Sequence, residues 1–382
     1  MPISNMVQER KYQICSRCVM DTSDPGIVFD EKGVCNNCKG YFERTARELH
    51  YDEKGKRKLR EVAQKIAAAG KGREYDCIVG VSGGVDSSFV AYHLKKLGLK
   101  PLAIHLDNGW NSELAVGNIE RILKQMDIDL CTKVLDWDEF KDLQLSFFKS
   151  SLIDCEIPTD HAIMATLYRE ARRRKIKYII TGSNLVTEAV MPISWARFKI
   201  DWRLVRNVQK RFGSKKLKTF PHIDLAGLAY ATLVEGIKIF PLLNYVEYDK
   251  ASAKQMLIDR FGWKDYGGKH YESVYTRFYQ GYILPDKFGI DKRRAHFSAL
   301  ICAGQMTRPE ALELLKSIPY PSKEMCLRDK EYVIKKFGIT PQEFEMIMRD
   351  PPRDYNDFPN DYRIYDALRW VVKLGKRIAT IN

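Results

Sequence analysis

One stretch, Asp76-Cys77-Ile78-Val79-Gly80-Val81-Ser82-Gly83-Gly84-Val85-Asp86-Ser87-Ser88, restricts the possible folds of this chain more than any other. The apolar run Cys77 to Val81 reads as a buried parallel strand. Ser87 to Leu97 continues with helical periodicity through Phe89, Val90, Leu94 and Leu97. Ser82-Gly83-Gly84 is therefore a strand-to-helix turn, and such a turn is an anion site. Its two glycines let backbone N–H groups approach an oxyanion, and the helix N-terminus behind them adds positive potential. Ser82, Ser87 and Ser88 offer hydroxyls, and Asp86 is a carboxylate placed to hold Mg²⁺ beside phosphate oxygens.

No lysine follows the glycines, so this is not the loop that grips a terminal phosphate through a Gly-Lys-Ser/Thr ending. Ser-Gly-Gly-x-Asp-Ser-Ser resembles instead the PP-loop of ATP pyrophosphatases, a family that includes GMP, asparagine and NAD synthetases and tRNA-thiolating enzymes. The resemblance implies a doubly wound parallel α/β sheet of the adenine nucleotide alpha hydrolase-like type. It also implies that the loop, Val81 to Ser88, holds the two outer phosphates of ATP while a substrate oxygen is adenylated.

Downstream strands fit that frame. Leu102 to Leu106 ends in Asp107-Asn108-Gly109-Trp110-Asn111, Leu130 to Leu135 gives a third strand, and Lys177 to Thr181 runs into Gly182-Ser183-Asn184. Ligands of open parallel sheets lie beyond the carboxyl ends of the strands. By the resemblance His105, Leu106, Asp107, Gly182, Ser183 and Asn184 contact the nucleotide, and Asn108, Trp110 and Asn111 the substrate. The rival reading of 107–109 is an ordinary Asp-Asn-Gly turn. Asp160 is an N-cap or a ligand, and His161 a site residue or a structural one. Phe140, Leu143, Phe147 and Phe148, at helical spacing, read as core, and Gly236 to Leu243 as the last core strand.

Cys15-x-x-Cys18 and Cys35-x-x-Cys38, sixteen residues apart, suit a tetrahedral four-thiolate zinc ribbon with a small hairpin between. An iron–sulfur cluster and two redox pairs are the alternatives. A closed site of this kind has a structural or docking role. The expected organisation is a zinc ribbon over 1–45, a helical linker over 46–74, the nucleotide domain over 75–250 with a basic insertion at 191–222, and a helical C-terminal region over 251–382. Tyr41 to Ala69 reads as helix throughout.

The chain has 382 residues and a net charge of +14. That charge suits either nucleic acid or anionic small substrates. It has no apolar run that could span a bilayer and no signal-peptide core, so a cytoplasmic protein is expected.

Taken together, Cys15-Ser16-Arg17-Cys18-Val19-Met20-Asp21-Thr22, the glycine turn, Leu106 to Asn111 and Gly267-Gly268-Lys269-His270 resemble the N-acetyl sugar amidotransferases of bacterial surface-polysaccharide and nonulosonic-acid pathways, over roughly Tyr12 to Leu315. That resemblance implies ATP-dependent conversion of an acetamido group to an acetamidino group. Mg²⁺, Asp86, Lys269 and Arg277 would assist catalysis, and Asp160, His161, His270 and Arg294 would contact the sugar. The sugar would be nucleotide-linked or acidic, in lipopolysaccharide O-antigen or flagellin-glycan biosynthesis. It further implies ammonia from a separate glutaminase through a channel subunit related to those of histidine biosynthesis, since Pro2 leaves no N-terminal cysteine nucleophile. A tRNA-modifying PP-loop enzyme is the alternative, with Cys155 in place of one of its two cysteines; a zinc-ribbon scaffold without turnover is a third.

Overall fold

The structure, a computed structural model, describes residues 11–196, 198–268 and 271–367. Two helices, α1 (Asn36–Glu48) and α2 (Glu53–Ala69), precede β1 (Cys77–Gly80). Then follow α3 (Val85–Lys96), β2 (Pro101–Asp107), α4 (Glu113–Gln125), β3 (Leu130–Val134), α5 (Trp137–Lys149), α6 (Ile157–Arg173) and β4 (Tyr178–Thr181). The chain continues through α7 (Leu185–Glu188), α8 (Trp202–Phe212), α9 (Leu225–Ala229), β5 (Lys238–Pro241), α10 (Lys250–Phe261), α11 (Val274–Phe278), α12 (Leu284–Phe288) and α13 (Arg293–Cys302). Then come α14 (Arg308–Leu314), α15 (Lys323–Phe337) and α16 (Pro341–Arg349), followed by a short 3-10 turn at Tyr355–Asp357.

The five strands form one parallel sheet in the order β3-β2-β1-β4-β5. Strand β1 lies at its centre because both of its faces are apolar. Cys77 and Val79 pack against α3, α4 and α10, while Ile78 packs against α6. Ile78 and Val79 are fully buried, and each such side chain contributes roughly 1.5–3 kcal/mol of transfer free energy. The chain order reverses direction at β1, between β2 on one side and β4 on the other, and the crevice that this reversal opens is where ligands of such sheets bind.

Three expectations about elements are corrected. The helix expected from Tyr41 to Ala69 is two helices. It breaks at residues 49–52, where His50 N–H donates to Asn244 O at 2.8 Å and Asp52 caps the start of α2. The last strand, β5, is an edge strand with Lys238 and Ile239 exposed, since it pairs only with β4. Asp160 is not an N-cap: α6 begins three residues earlier, with Glu156 in that position and Pro158 in the first turn. The Phe140, Leu143, Phe147 and Phe148 stripe is core, as its spacing requires.

The ribbon is not a separate bead. Cys15, Cys18, Cys35 and Cys38 share one apolar core with Phe147, Phe278, Ala299 and Phe344. Helix α13 is its main support. Arg294 pairs with Asp21 at 3.0 Å and donates to Val19 O at 2.9 Å, and the Ser298 hydroxyl accepts from Val19 N–H at 3.2 Å. Arg308 donates to the carbonyls of Cys15 and Cys18 at 3.0 Å.

Candidate active site

The glycine turn leaves β1 at residue 81 and enters α3 at residue 85. Gly83 has φ +80°, and a Cβ there would lie 2.6 Å from Ala115 O, so only glycine fits. Trp263 Nε1 donates to Gly83 O at 2.9 Å and holds the turn from behind. Helices α2 and α4 have side-chain caps from Asp52 and Ser112, but α3 has none. Its first N–H groups are thus left to a ligand, the arrangement a phosphate requires.

Around this terminus lies a cavity of about 360 Å³ lined by Ser82, Gly84, Asp86, Ser87, Gly182 and Ser183. The backbones of β4 and α3 approach closely: a Cβ on Gly182 would meet Ser87 N at 3.3 Å. Asp86 accepts a hydrogen bond from the Tyr248 hydroxyl, and burial together with that carboxylate pushes the Tyr248 phenol up. Lys250 and Lys254 of α10, with Asp265, Tyr266 and Glu272, form the opposite wall.

A second cavity, also of about 360 Å³, shares Ser82, Gly182, Ser183 and Glu272 with the first, so the two adjoin at those residues. One end is an apolar slot between strand ends and α6, with Ile104, Leu106, Met164, Leu167 and Ile180. The other end is polar, formed by Asn108, Asn111, Glu156, Asp160, Lys199 and Lys292. Here Lys199 pairs with Asp154 and with Asp160, at 3.1 Å in the latter case. Those carboxylates hold the Lys199 ammonium above its ordinary range against the opposing effect of burial. Lys292, with no ion pair among the described residues, is pulled down by burial. His105 is a spacer between turns: its ring bonds Val81 O at 3.0 Å and Asn111 Nδ2 at 3.2 Å, which orients the Asn111 amide in the cavity.

The structure brings together Val81, Ser82, Gly84, Asp86, Ser87, His105, Leu106, Asn108, Asn111, Asp160, Gly182 and Ser183 on the two cavity walls. Ser88 is buried behind the turn, where its N–H starts the helical bonding of α3. Lys269 and His270 lie outside the described residues.

Six other expected contacts have different partners. Asp107 accepts from Gly109 N–H at 2.8 Å and holds the Asp-Asn-Gly turn. Trp110 is 1% exposed and caged by Trp137, Tyr275 and Phe337. Asn184 caps α7. His161 is fully buried, with Nε2 accepting from Ile223 N–H and the ring stacked on Trp202; burial pushes it down to about 4. Arg277 makes a two-pronged pair with Asp329 at 2.7 and 2.9 Å. Arg294 serves the ribbon, as described above.

Glu156, Lys199, Tyr248, Lys250 and Lys254 went unread in the sequence as site residues. Glu156 alone had a local signal, standing at the head of an amphipathic helix beside Pro158.

The four ribbon sulfurs lie within 4.8 Å of one another, with Cys15–Cys38 at 3.9 Å and Cys18–Cys35 at 3.7 Å. A tetrahedron with metal–sulfur bonds of ~2.3 Å has edges of ~3.8 Å, so the donor set fits one ion. Backbone N–H groups of Arg17, Cys18 and Cys35 point at Cys15 Sγ, and neighbouring thiols hold Cys15 far below the ordinary thiol range. Cys302 Sγ stands 3.8 Å from Cys38 Sγ.

Strand order, glycine turn and uncapped α3 define the class: a fold of PP-loop ATP pyrophosphatase type, with a four-cysteine metal-site candidate and a helical C-terminal region. In the C-terminal part, residues 272–371 match the family described as LPS biosynthesis protein WbpG-like, C-terminal domain. The chain thus carries a WbpG-like C-terminal domain behind a PP-loop fold. No curated protein matches it.

Among solved structures, the U34-tRNA thiolase NcsA from Methanococcus maripaludis with its [4Fe-4S] cluster aligns at 15% identity and TM-score 0.30, covering 82% of this chain and 92% of that one. NMN synthetase from Francisella tularensis aligns at 14% and 0.27, covering 58% and 92%. The NH3-dependent NAD synthetase from Campylobacter jejuni subsp. jejuni aligns at 16% and 0.27, covering 53% and 82%. At these values the fold assignment rests on the sheet and the turn themselves. No helix among the described residues is long and apolar enough to cross a membrane.

Proposed function

We propose that this chain is an AMP-forming amidotransferase of polysaccharide biosynthesis. It adenylates the acetamido oxygen of an N-acetyl sugar and replaces that oxygen with ammonia, giving an acetamidino sugar. The observation that carries this reading is the junction of the two cavities at Ser82, Gly182 and Ser183. The turn at the head of α3 adjoins there an apolar slot and then a polar chamber. Residues of the WbpG-like domain, among them Thr276, Gln280 and Lys292, line that chamber.

In this arrangement the α3 terminus, Ser82 and Ser87 take the two outer phosphates of ATP, and Asp86 would hold Mg²⁺, which when bound neutralises charge on the departing pyrophosphate. The apolar slot takes adenosine. The α-phosphate then falls at the junction, facing the chamber where Asn108 and Asn111 orient the acetamide. Lys292, with no carboxylate partner among the described residues, favours an anionic group on the sugar. The thiolates of Cys15, Cys18, Cys35 and Cys38 would hold Zn²⁺ and keep the ribbon folded on α13, with no part in the chemistry. Ammonia is supplied by a separate glutaminase and a channel-forming subunit, and the enzyme works in the cytoplasm.

The test is incubation of acetamido sugars with protein, ATP, Mg²⁺ and ammonium. The expected products are AMP, pyrophosphate and a sugar lighter by about one mass unit; ADP in place of AMP, or an unchanged sugar mass in every case, removes the reading. The basic face of α8, with Arg206 and Lys210 beside Lys216, favours tRNA modification as the second reading. Against its thiolating form, Cys155 is 1% exposed and burial raises its thiol, which leaves it a poor nucleophile.

A further inference from the structure

In the polar chamber Glu156 has an unusual position. It stands at the N-cap of α6, yet its side chain makes no cap and lines the cavity instead. Its carboxyl accepts a hydrogen bond from the Thr276 hydroxyl at 2.6 Å, which fixes its direction from the WbpG-like domain. It makes no ion pair among the described residues, because Lys199 is engaged by Asp154 and Asp160. The charged and titratable groups facing it are Asp154 and Asp160 on its own segment, Lys199 on the loop after α7, and Lys292 at the head of α13. His105 and Glu272 complete the surround from the β2 end and from the segment before α11.

We propose that Glu156 is the general base of nitrogen transfer, taking a proton from the incoming nitrogen at the adenylated acetamide carbon. The inference rests on the amidating function proposed above. The step balances. The ammonia lone pair forms the C–N bond to the protonated imidate while the C=N pair moves onto the sugar nitrogen. The N–H proton passes to the Glu156 carboxylate. The lone pair so freed rebuilds a C=N bond as the C–O bond breaks, and AMP leaves with that electron pair. The product is an amidinium sugar, and Glu156 later gives its proton to water.

Geometry places the base in the same chamber as the two asparagines that orient the acetamide, on the far side of the shared junction from the phosphate cradle. Burial raises the carboxyl to about 7. It is then partly ionised at neutral pH and strong enough to deprotonate the ammonium-like adduct, the matching that general bases need.

The experiment compares wild type and Glu156→Gln, with UDP-N-acetylglucosamine and N-acetylneuraminate as acetamido probes, in two measurements. One is ATP–pyrophosphate exchange. The other is product formation with ammonium or with hydroxylamine, which is uncharged at pH 7 and yields a far more acidic adduct. The expected result is a loss of about 100-fold or more with ammonium, a much smaller loss with hydroxylamine, and a smaller loss still in exchange. With rates referred to the free-ammonia concentration, the rising limb near pH 7 in the wild-type profile disappears. Where Glu156→Gln does not fold, Glu156→Asp is measured instead, and it keeps that limb at a displaced midpoint. Equal losses with both nucleophiles, or ammonium turnover within threefold of wild type, overturn the role of Glu156 alone. Absence of exchange in wild type with every acetamido probe overturns the amidating function and this inference with it.

Discussion

At the scale of single residues, the tightest constraint is Gly83. With φ +80° and Ala115 O in the place of a Cβ, Gly83→Ala must move either the turn or α4. It is expected to cost about 1–3 kcal/mol of stability and to abolish AMP formation, checked by thermal melting and nucleotide chromatography. Asp86→Asn is expected to stop pyrophosphate release while leaving the melting temperature within a few degrees; retained release would take Asp86 out of the mechanism.

One buried and one half-buried group give the stability opposite pH dependences. His161 titrates near 4 in the folded chain and near 6.5 unfolded. As pH falls from about 6.5 toward 4 the unfolded chain binds the extra proton, so stability present above that window is lost within it. Glu156 runs the other way. Its folded value of about 7 lies above the ordinary 4.5, so between these the folded chain holds more protons and stability declines as pH rises. Melting curves across pH 4–8 are expected to lose the first slope in His161→Gln and the second in Glu156→Gln; unchanged slopes contradict the burial argument.

At the scale of elements, the sequence was readable where chemistry is encoded locally. The Ser82 to Ser88 turn and the two cysteine pairs are such cases, because glycine conformational freedom and thiolate spacing need no partner to be recognised. The break at residues 49–52 could not be seen, since the bond from His50 to Asn244 supplies its reason from the other end of the nucleotide fold. Trp110 was misplaced for a similar cause. Its polar neighbours suggest an exposed turn, yet Tyr275 and Phe337, far along the chain, enclose the indole. The polar chamber draws Glu156, Lys199 and Lys292 from three segments with no shared pattern, and Tyr248 reaches Asp86 across 162 residues.

A cap needs only local sequence: Thr307 forms a full capping box with Glu310, three residues on, at the start of α14. Thr307→Ala is expected to cost about 1 kcal/mol, measured by denaturant unfolding. A larger loss would mean that α14, through Arg308 and the ribbon carbonyls, carries more of the fold than its own cap.

At the scale of the whole molecule, one apolar core joins the ribbon to the C-terminal helices, so the metal site and the catalytic fold are expected to melt together. Stripping the ion with a chelator is expected to lower the melting temperature of the entire protein in a single transition. A metal-free chain with an unaltered melting temperature would show the ribbon to be dispensable to that core. Arg294→Ala, which removes the pair with Asp21 at 3.0 Å, is expected to weaken metal retention without changing the four ligands.

The same rod that grips the ribbon through Arg294 and Ser298 begins at Lys292, a wall of the polar chamber. On the function proposed above, loss of an ion from the four cysteines would therefore displace the Lys292 ammonium in the chamber, and output would track trace-element supply.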